Sequence, residues 1–145
     1  MNHSLILFSA IALFQFPTFA NESTCKEKVA AANQLFSSED YNALLQKATE
    51  AVSECEKANV KSAPAYVVLG AANLKLGKTS DALTAFKKAS KIDPVSEIIQ
   101  INLCSTYATL NDEKNAKIEC NKSMKGTAFQ EQAKTILNQL TGSHK

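Results

Sequence analysis

Apolar and small residues recur along this chain at helical spacing, in paired short runs separated by turn-forming residues. Within residues 63–96 the first run puts Tyr66, Leu69 and Gly70 on one helical face, with Leu74 at its edge. Gly77 interrupts that run. Ser80 offers a cap for a second one, along which Ala82, Leu83, Phe86 and Ala89 again share a face. Pro94 ends it, because the residue before a proline is driven away from the α region. Gly70, Ala82 and Ala89 are small, which predicts two antiparallel helices in close approach.

The same alternation continues on both sides. Downstream, Leu103, Cys104 and Tyr107 form a first face, and Ala116, Cys120 and Ser123 a second. Upstream the faces are Ala31, Ala32 and Leu35, then Tyr41, Leu44, Ala48 and Ala51, with a linker at Asn59–Ser62 before the middle unit. After Gly126 one further stripe, Phe129, Ala133, Ile136, Leu137 and Leu140, predicts a closing helix over about 127–141, opened by a Thr127/Gln130 capping box. Its rival is an independent amphipathic helix for a membrane or a partner.

The spacing Tyr66-x2-Leu69-Gly70, Ala82-x3-Phe86, Ala89 and Pro94 resembles the tetratricopeptide repeat, a helix–turn–helix unit. Tyr66, where the family often has Trp, and Asn73, where it usually has a large residue, depart from the pattern without breaking it. One such unit cannot bury its own apolar face, so neighbours are required. The resemblance therefore implies an all-α solenoid of three antiparallel helix hairpins, at about 25–58, 63–96 and 97–126, plus the C-terminal capping helix. It also implies a non-enzymatic module that binds another protein or peptide.

In such repeats the partner lies on the concave surface lined by the first helix of each hairpin. The matching positions are Val29, Asn33 and Phe36, then Val67, Val68, Ala71, Leu74 and Lys75, then Ile98, Ile101, Asn102 and Ser105. The competing role for each is to pad the contact between adjacent repeats. Relatives that grip a terminal carboxylate use a clamp of Lys, Asn and Arg. Here those places hold Val29, Asn33, Val68, Ile98 and Asn102, of which only Asn33 agrees. An apolar or amphipathic segment fits this groove better. Lysine at Val67 and Ile101 is the substitution expected to abolish capture while leaving the fold intact.

The repeat register also bears on the four cysteines. Residues equidistant from a hairpin turn face each other. With turns near Glu39–Asp40 and Asn111–Asp112, the register implies Cys25 with Cys55 and Cys104 with Cys120. Free core thiols in a reducing compartment are the alternative. Cysteine spacing of the C-x-x-C kind, which zinc and thioredoxin-like chemistry want, is absent.

Residues 1–20 read as a signal peptide. Leu5–Phe16 is a mostly apolar run too short to span a bilayer comfortably, and Thr18-Phe19-Ala20 suits cleavage after Ala20. The start of the chain lacks Lys and Arg, so an uncleaved anchor is the rival reading. Export to the periplasm or the extracellular space follows from cleavage, with residues 21–145 as a single domain and no stable membrane span. An even cysteine count suits an oxidising compartment.

Charge adds one exclusion. All sixteen basic residues are Lys, against fourteen acids, and without Arg the bidentate contacts favoured in nucleic-acid recognition are missing. Catalytic residues, metal ligands and cofactor motifs are not expected. His3 belongs to the leader and His144 to the tail, and no glycine-rich phosphate loop is present. Asn21-Glu22-Ser23 and Asn121-Lys122-Ser123 match the glycosylation acceptor pattern, which is common by chance. The leading function is an interaction scaffold of the cell envelope or extracellular space. The alternatives are a secreted effector or inhibitor that binds a foreign protein, and a self-associating structural protein whose groove receives a neighbour's closing helix.

Overall fold

Seven α-helices follow one another in the computed structural model, which describes residues 18–142. They are α1 (Thr18–Gln34), α2 (Tyr41–Lys57), α3 (Ala63–Lys75), α4 (Thr79–Ile92), α5 (Glu97–Thr109), α6 (Glu113–Ser123) and α7 (Gln130–Gly142). A 3-10 turn, Leu35–Ser37, extends α1. Among the described residues there is no β-strand, and no helix is long and apolar enough to cross a membrane. The apolar run Leu5–Phe16 and the tail His144 lie outside the described residues. The last three residues of the expected leader, Thr18 to Ala20, belong to α1.

Consecutive helices pair as α1/α2, α3/α4 and α5/α6, and the pairs stack in chain order. The fold is thus a right-sized array of helix hairpins, each burying the apolar face its neighbour leaves open. The turns share one construction. A residue in the left-handed region stands directly before the next N-cap: Glu39 (φ 57°), Gly77 (φ 71°) and Asn111 (φ 56°). After α3 and α5 the chain closes with a Schellman motif, in which the Lys78 amide donates to the Asn73 carbonyl and the Asp112 amide to the Tyr107 carbonyl. Asn59 (φ 55°) does the same work after α2, where the Val60 amide donates to the Cys55 carbonyl.

Among the described residues, three helix starts are capped by a side chain. Asp40, Ser62 and Asp112 accept from the amides of Ala43, Ala65 and Asn115 at 3.0, 3.3 and 3.2 Å. Two expected caps do not form. Helix α4 begins at Thr79 with Lys78 as its N-cap, which gives no side-chain hydrogen bond, and Ser80 is already inside the first turn. Helix α7 begins at Gln130, so Thr127 stands two residues before the cap position, which Phe129 holds. The Gln130 side-chain amide (Nε2) instead donates to the Met124 carbonyl at 3.1 Å, and the Ala128 backbone amide donates to the Glu97 carboxylate.

The core is three clusters joined along the stack. The first gathers Val29, Ala32, Leu44, Ala48, Ala51 and Val52 with Val68 and Ala72. On α1 the buried alanine is Ala32; Ala31 faces solvent. The middle cluster centres on Phe86, fully buried among Ala82, Ala89, Ile99, Leu103 and Tyr107. Gly70 makes that position available, since a Cβ there would stand 2.6 Å from the Phe86 ring. The third cluster holds Ile101, Cys104, Cys120 and Ala133, with Phe129, Ile136 and Leu137 of the closing segment packed against it.

Cys25 bonds Cys55 across α1 and α2, with their Cα atoms 4.7 Å apart. Cys104 bonds Cys120 across α5 and α6, Cα atoms 5.0 Å apart. These are the two pairs that the hairpin register implies, and all four residues are buried.

An ion pair adds to the first hairpin. Glu50 of α2 accepts from Lys28 of α1 and from Lys47 of its own helix. Those hydrogen bonds, Lys28 first, hold its carboxyl down at about 2, below the ordinary 4.5. A carboxyl with a depressed pKa stabilises the folded state above its unfolded value. That contribution disappears as pH falls from 4.5 to about 2. The pair is solvent-screened, so the effect is modest. The melting temperature of Glu50→Gln should therefore fall less over that pH range than wild type does. Parallel melting curves for the two proteins would show that Glu50 carries no such linkage.

Candidate functional site

Residues of α1, α3 and the start of α5 shape two adjoining cavities of about 420 and 310 Å³. Both sit beside the loops that lead from one hairpin into the next. The first lies against Glu22, Cys25, Lys26, Val29 and Ala30 of α1 and the 60–64 segment. The second lies between Val67 and Val68 of α3 and Asp93, Ser96, Ile98 and Ile99 at the start of α5. Asn33 and Pro64 line both, so the two cavities lie side by side and together form the hollow considered below.

Helix phase explains the lining. Val29 and Asn33 are one turn apart on α1 and share a face. Pro64 opens α3 at a position where its missing amide costs nothing, and Val67 and Val68 follow on the next turn. Ile98 stands in the first turn of α5 and is 47 % exposed, unusual for an isoleucine in a chain this small.

Five of the twelve expected groove residues meet at this hollow: Val29, Asn33, Val67, Val68 and Ile98. Val29 and Val68 reach it with little free surface, being 8 % and 3 % exposed. The other seven are placed elsewhere. Phe36 packs on the first cluster, and Ala71 and Leu74 on the middle one. The Lys75 ammonium sits 5.5 Å from the centre of the Tyr41 ring. The Asn102 amide donates to the Ile98 carbonyl at 2.8 Å, and the Ser105 carbonyl accepts from the Thr109 hydroxyl. Ile101 is 3 % exposed and packs within the Cys104–Cys120 cluster. Lysine at Ile101 would put a charge beside the disulfide and unfold the third hairpin, so Ile98 is the right position for the capture test.

The spacing of apolar residues did not reveal the loop contribution. Val60, Lys61, Ser62, Asp93 and Ser96 are polar or isolated and fall between the periodic runs. One signal was present: segments 59–62 and 93–96 occupy equivalent places, each leading into the first helix of a hairpin.

The lining is mostly apolar, with charges at its two ends. At the α1 end Lys26 pairs with Glu22 at 2.7 Å, and this hydrogen bond lowers the Glu22 carboxyl. Lys61 beside them is exposed and makes no ion pair among the described residues. At the α5 end one Asp93 oxygen accepts from the Val95 amide at 3.3 Å, and Asp93 likewise has no cationic partner among the described residues. No group of three or more His, Cys, Asp or Glu side chains that could hold a metal ion occurs among the described residues.

Comparison with known proteins gives two findings. The family model described as tetratricopeptide repeat matches residues 63–96. The chain is also similar in structure to the Yersinia enterocolitica type III secretion translocator chaperone SycD, in its alternative-dimer crystal form. The TM-score is 0.71 at 12 % identity, covering 85 % of this chain and 96 % of that one. At that identity the likeness is one of fold. No curated protein matches the sequence. Repeats of this kind serve protein–protein interaction and are typically non-enzymatic. The middle hairpin thus matches the tetratricopeptide repeat, and the hairpins on either side share its helix–turn–helix construction.

Proposed function

We propose that this protein is an exported scaffold that holds an apolar segment of another protein in the hollow between α1, α3 and α5. The adjacency of the two cavities, which share Asn33 and Pro64, is the observation that carries this reading. Together they offer enough concave, mostly apolar surface for several side chains of a peptide. The groove lacks the cationic clamp that a terminal carboxylate would need. Two buried disulfides support export, because such bonds persist in oxidising compartments.

Self-association through the closing helix has less support. The apolar stripe of α7 is engaged in its own molecule: Ala133 is fully buried, Ile136 and Leu137 pack on the third cluster, and Leu140 on the middle one.

The test pairs two substitutions on the hollow. Val67→Lys with Ile98→Lys should keep the helical circular dichroism of the parent, because both side chains can extend into the open cavity. In selection from a displayed peptide library, wild type should enrich sequences with clustered apolar residues and the double variant should not. Equal enrichment by both would place binding elsewhere on the molecule.

A further inference from the structure

The two ends of the hollow carry opposite charges, and neither charge is neutralised by a described residue. Four ionisable side chains line it. Glu22 and Lys26 neutralise each other at 2.7 Å. That leaves Lys61 at the α1 end and Asp93 at the α5 end, separated by the apolar stretch of Pro64, Val67, Val68 and Ile98. Neither Lys61 nor Asp93 has an ion-pair partner among the described residues, although seven other lysines do. Six of those seven have their carboxylate three or four residues away on the same helix. Lys61 and Asp93 stand on inter-hairpin loops, where no such neighbour is within reach.

Uncompensated charges flanking an apolar hollow favour a ligand of complementary pattern more than they favour tight binding as such. Resting on the scaffold reading above, we infer that the hollow selects a dipolar peptide segment: apolar in its centre, acidic at the end that meets Lys61, basic at the end that meets Asp93. Segments with the same apolar centre but like charges at both ends are discriminated against, because one end always meets a charge of its own sign. Discrimination is electrostatic and exposed, so it weakens as salt rises.

The test uses three synthetic peptides, blocked at both termini to remove terminal charge. All share one apolar core. One has Glu at one end and Lys at the other, the second has Glu at both ends, and the third has Lys at both. Binding to the full oxidised chain is read by fluorescence anisotropy. The dipolar peptide should bind about tenfold more tightly than either like-charged one at low salt. Lys61→Glu should transfer the preference to the double-Lys peptide, and Asp93→Lys should transfer it to the double-Glu peptide. An exchange of preference cannot arise from a misfolded variant, and both positions lie on loops.

Equal affinity for the three peptides, with all of them lost in Val67→Lys/Ile98→Lys, would overturn the charge selectivity and leave the scaffold reading in place. No binding by any peptide, or binding indifferent to Val67→Lys/Ile98→Lys, would remove the scaffold reading from this hollow and the selectivity with it.

Discussion

Serine in place of all four cysteines should lower the stability of this chain by about 6–7 kcal/mol and leave it largely unfolded at physiological temperature. Cys25–Cys55 closes a span of 30 residues and Cys104–Cys120 one of 16. In the chain-entropy account these are worth about 3.5 and 3 kcal/mol, and the total approaches the whole stability of an ordinary small domain. The loops do not overlap, so the two contributions are close to independent. Their placement sharpens the expectation. The first and third hairpins are stapled, whereas the middle one carries no cysteine and depends on its neighbours for a covered core. Losing either staple should therefore lower the midpoint of the whole array rather than release one hairpin alone. Denaturant unfolding of the Cys25→Ser/Cys55→Ser, Cys104→Ser/Cys120→Ser and fourfold variants checks this. A fourfold variant with wild-type midpoint would mean that the bonds do not constrain the unfolded chain.

Phe86→Ala should cost about 3–5 kcal/mol, because the ring is fully buried at the junction of the middle and last hairpins. Its partner Gly70 supplies the more discriminating experiment. Alanine is ordinarily the better helix former by roughly 1 kcal/mol. Here its Cβ would stand 2.6 Å from the Phe86 Cε1 atom, with two further ring atoms at 2.8 Å. Overpacking of this kind costs about 1–3 kcal/mol, so Gly70→Ala should destabilise despite its better propensity. A smaller side chain opposite should relieve it. Gly70→Ala should be nearly neutral in a Phe86→Leu background, and the coupling in that double-mutant cycle is the quantity to measure. A Gly70→Ala change that destabilises equally in both backgrounds would show that the ring is not what excludes the methyl.

The hairpins were legible in the sequence because two kinds of signal agreed. Helical spacing of Tyr66, Leu69, Ala82, Phe86 and Ala89 placed the helices, and a residue tolerant of positive φ or a capping Asp placed each turn. Reflection about Asp40 and Asp112 then brought the cysteines together. The groove was less legible. Helix α5 buries Ile99, Gln100, Ile101, Leu103, Cys104, Thr106 and Tyr107, which leave few positions on its circumference free. A helix covered nearly all round has no apolar stripe from which an open side can be read. Ile98 and Ile101 look alike in sequence, yet one is half exposed and the other lies against a disulfide. What separates them is the rotation of one hairpin on the next, which arises from side-chain packing rather than from period. The loop residues Lys61 and Asp93 were invisible for a different reason: their role comes from where the stack places two linkers.

The two disulfides also decide how this chain bears a mechanical load. Force applied to the two ends passes through Cys25 to Cys55 and through Cys104 to Cys120, so residues 26–54 and 105–119 carry none of it. Apart from the ends, only the stretch between Cys55 and Cys104 can lengthen, to about 165 Å at roughly 3.4 Å per residue. That stretch holds Lys61, Pro64, Val67, Val68, Asp93 and Ile98. Tension on the oxidised chain would thus pull the hollow apart while both outer loops stay closed, and any segment held there would be let go before the rest of the molecule gave way.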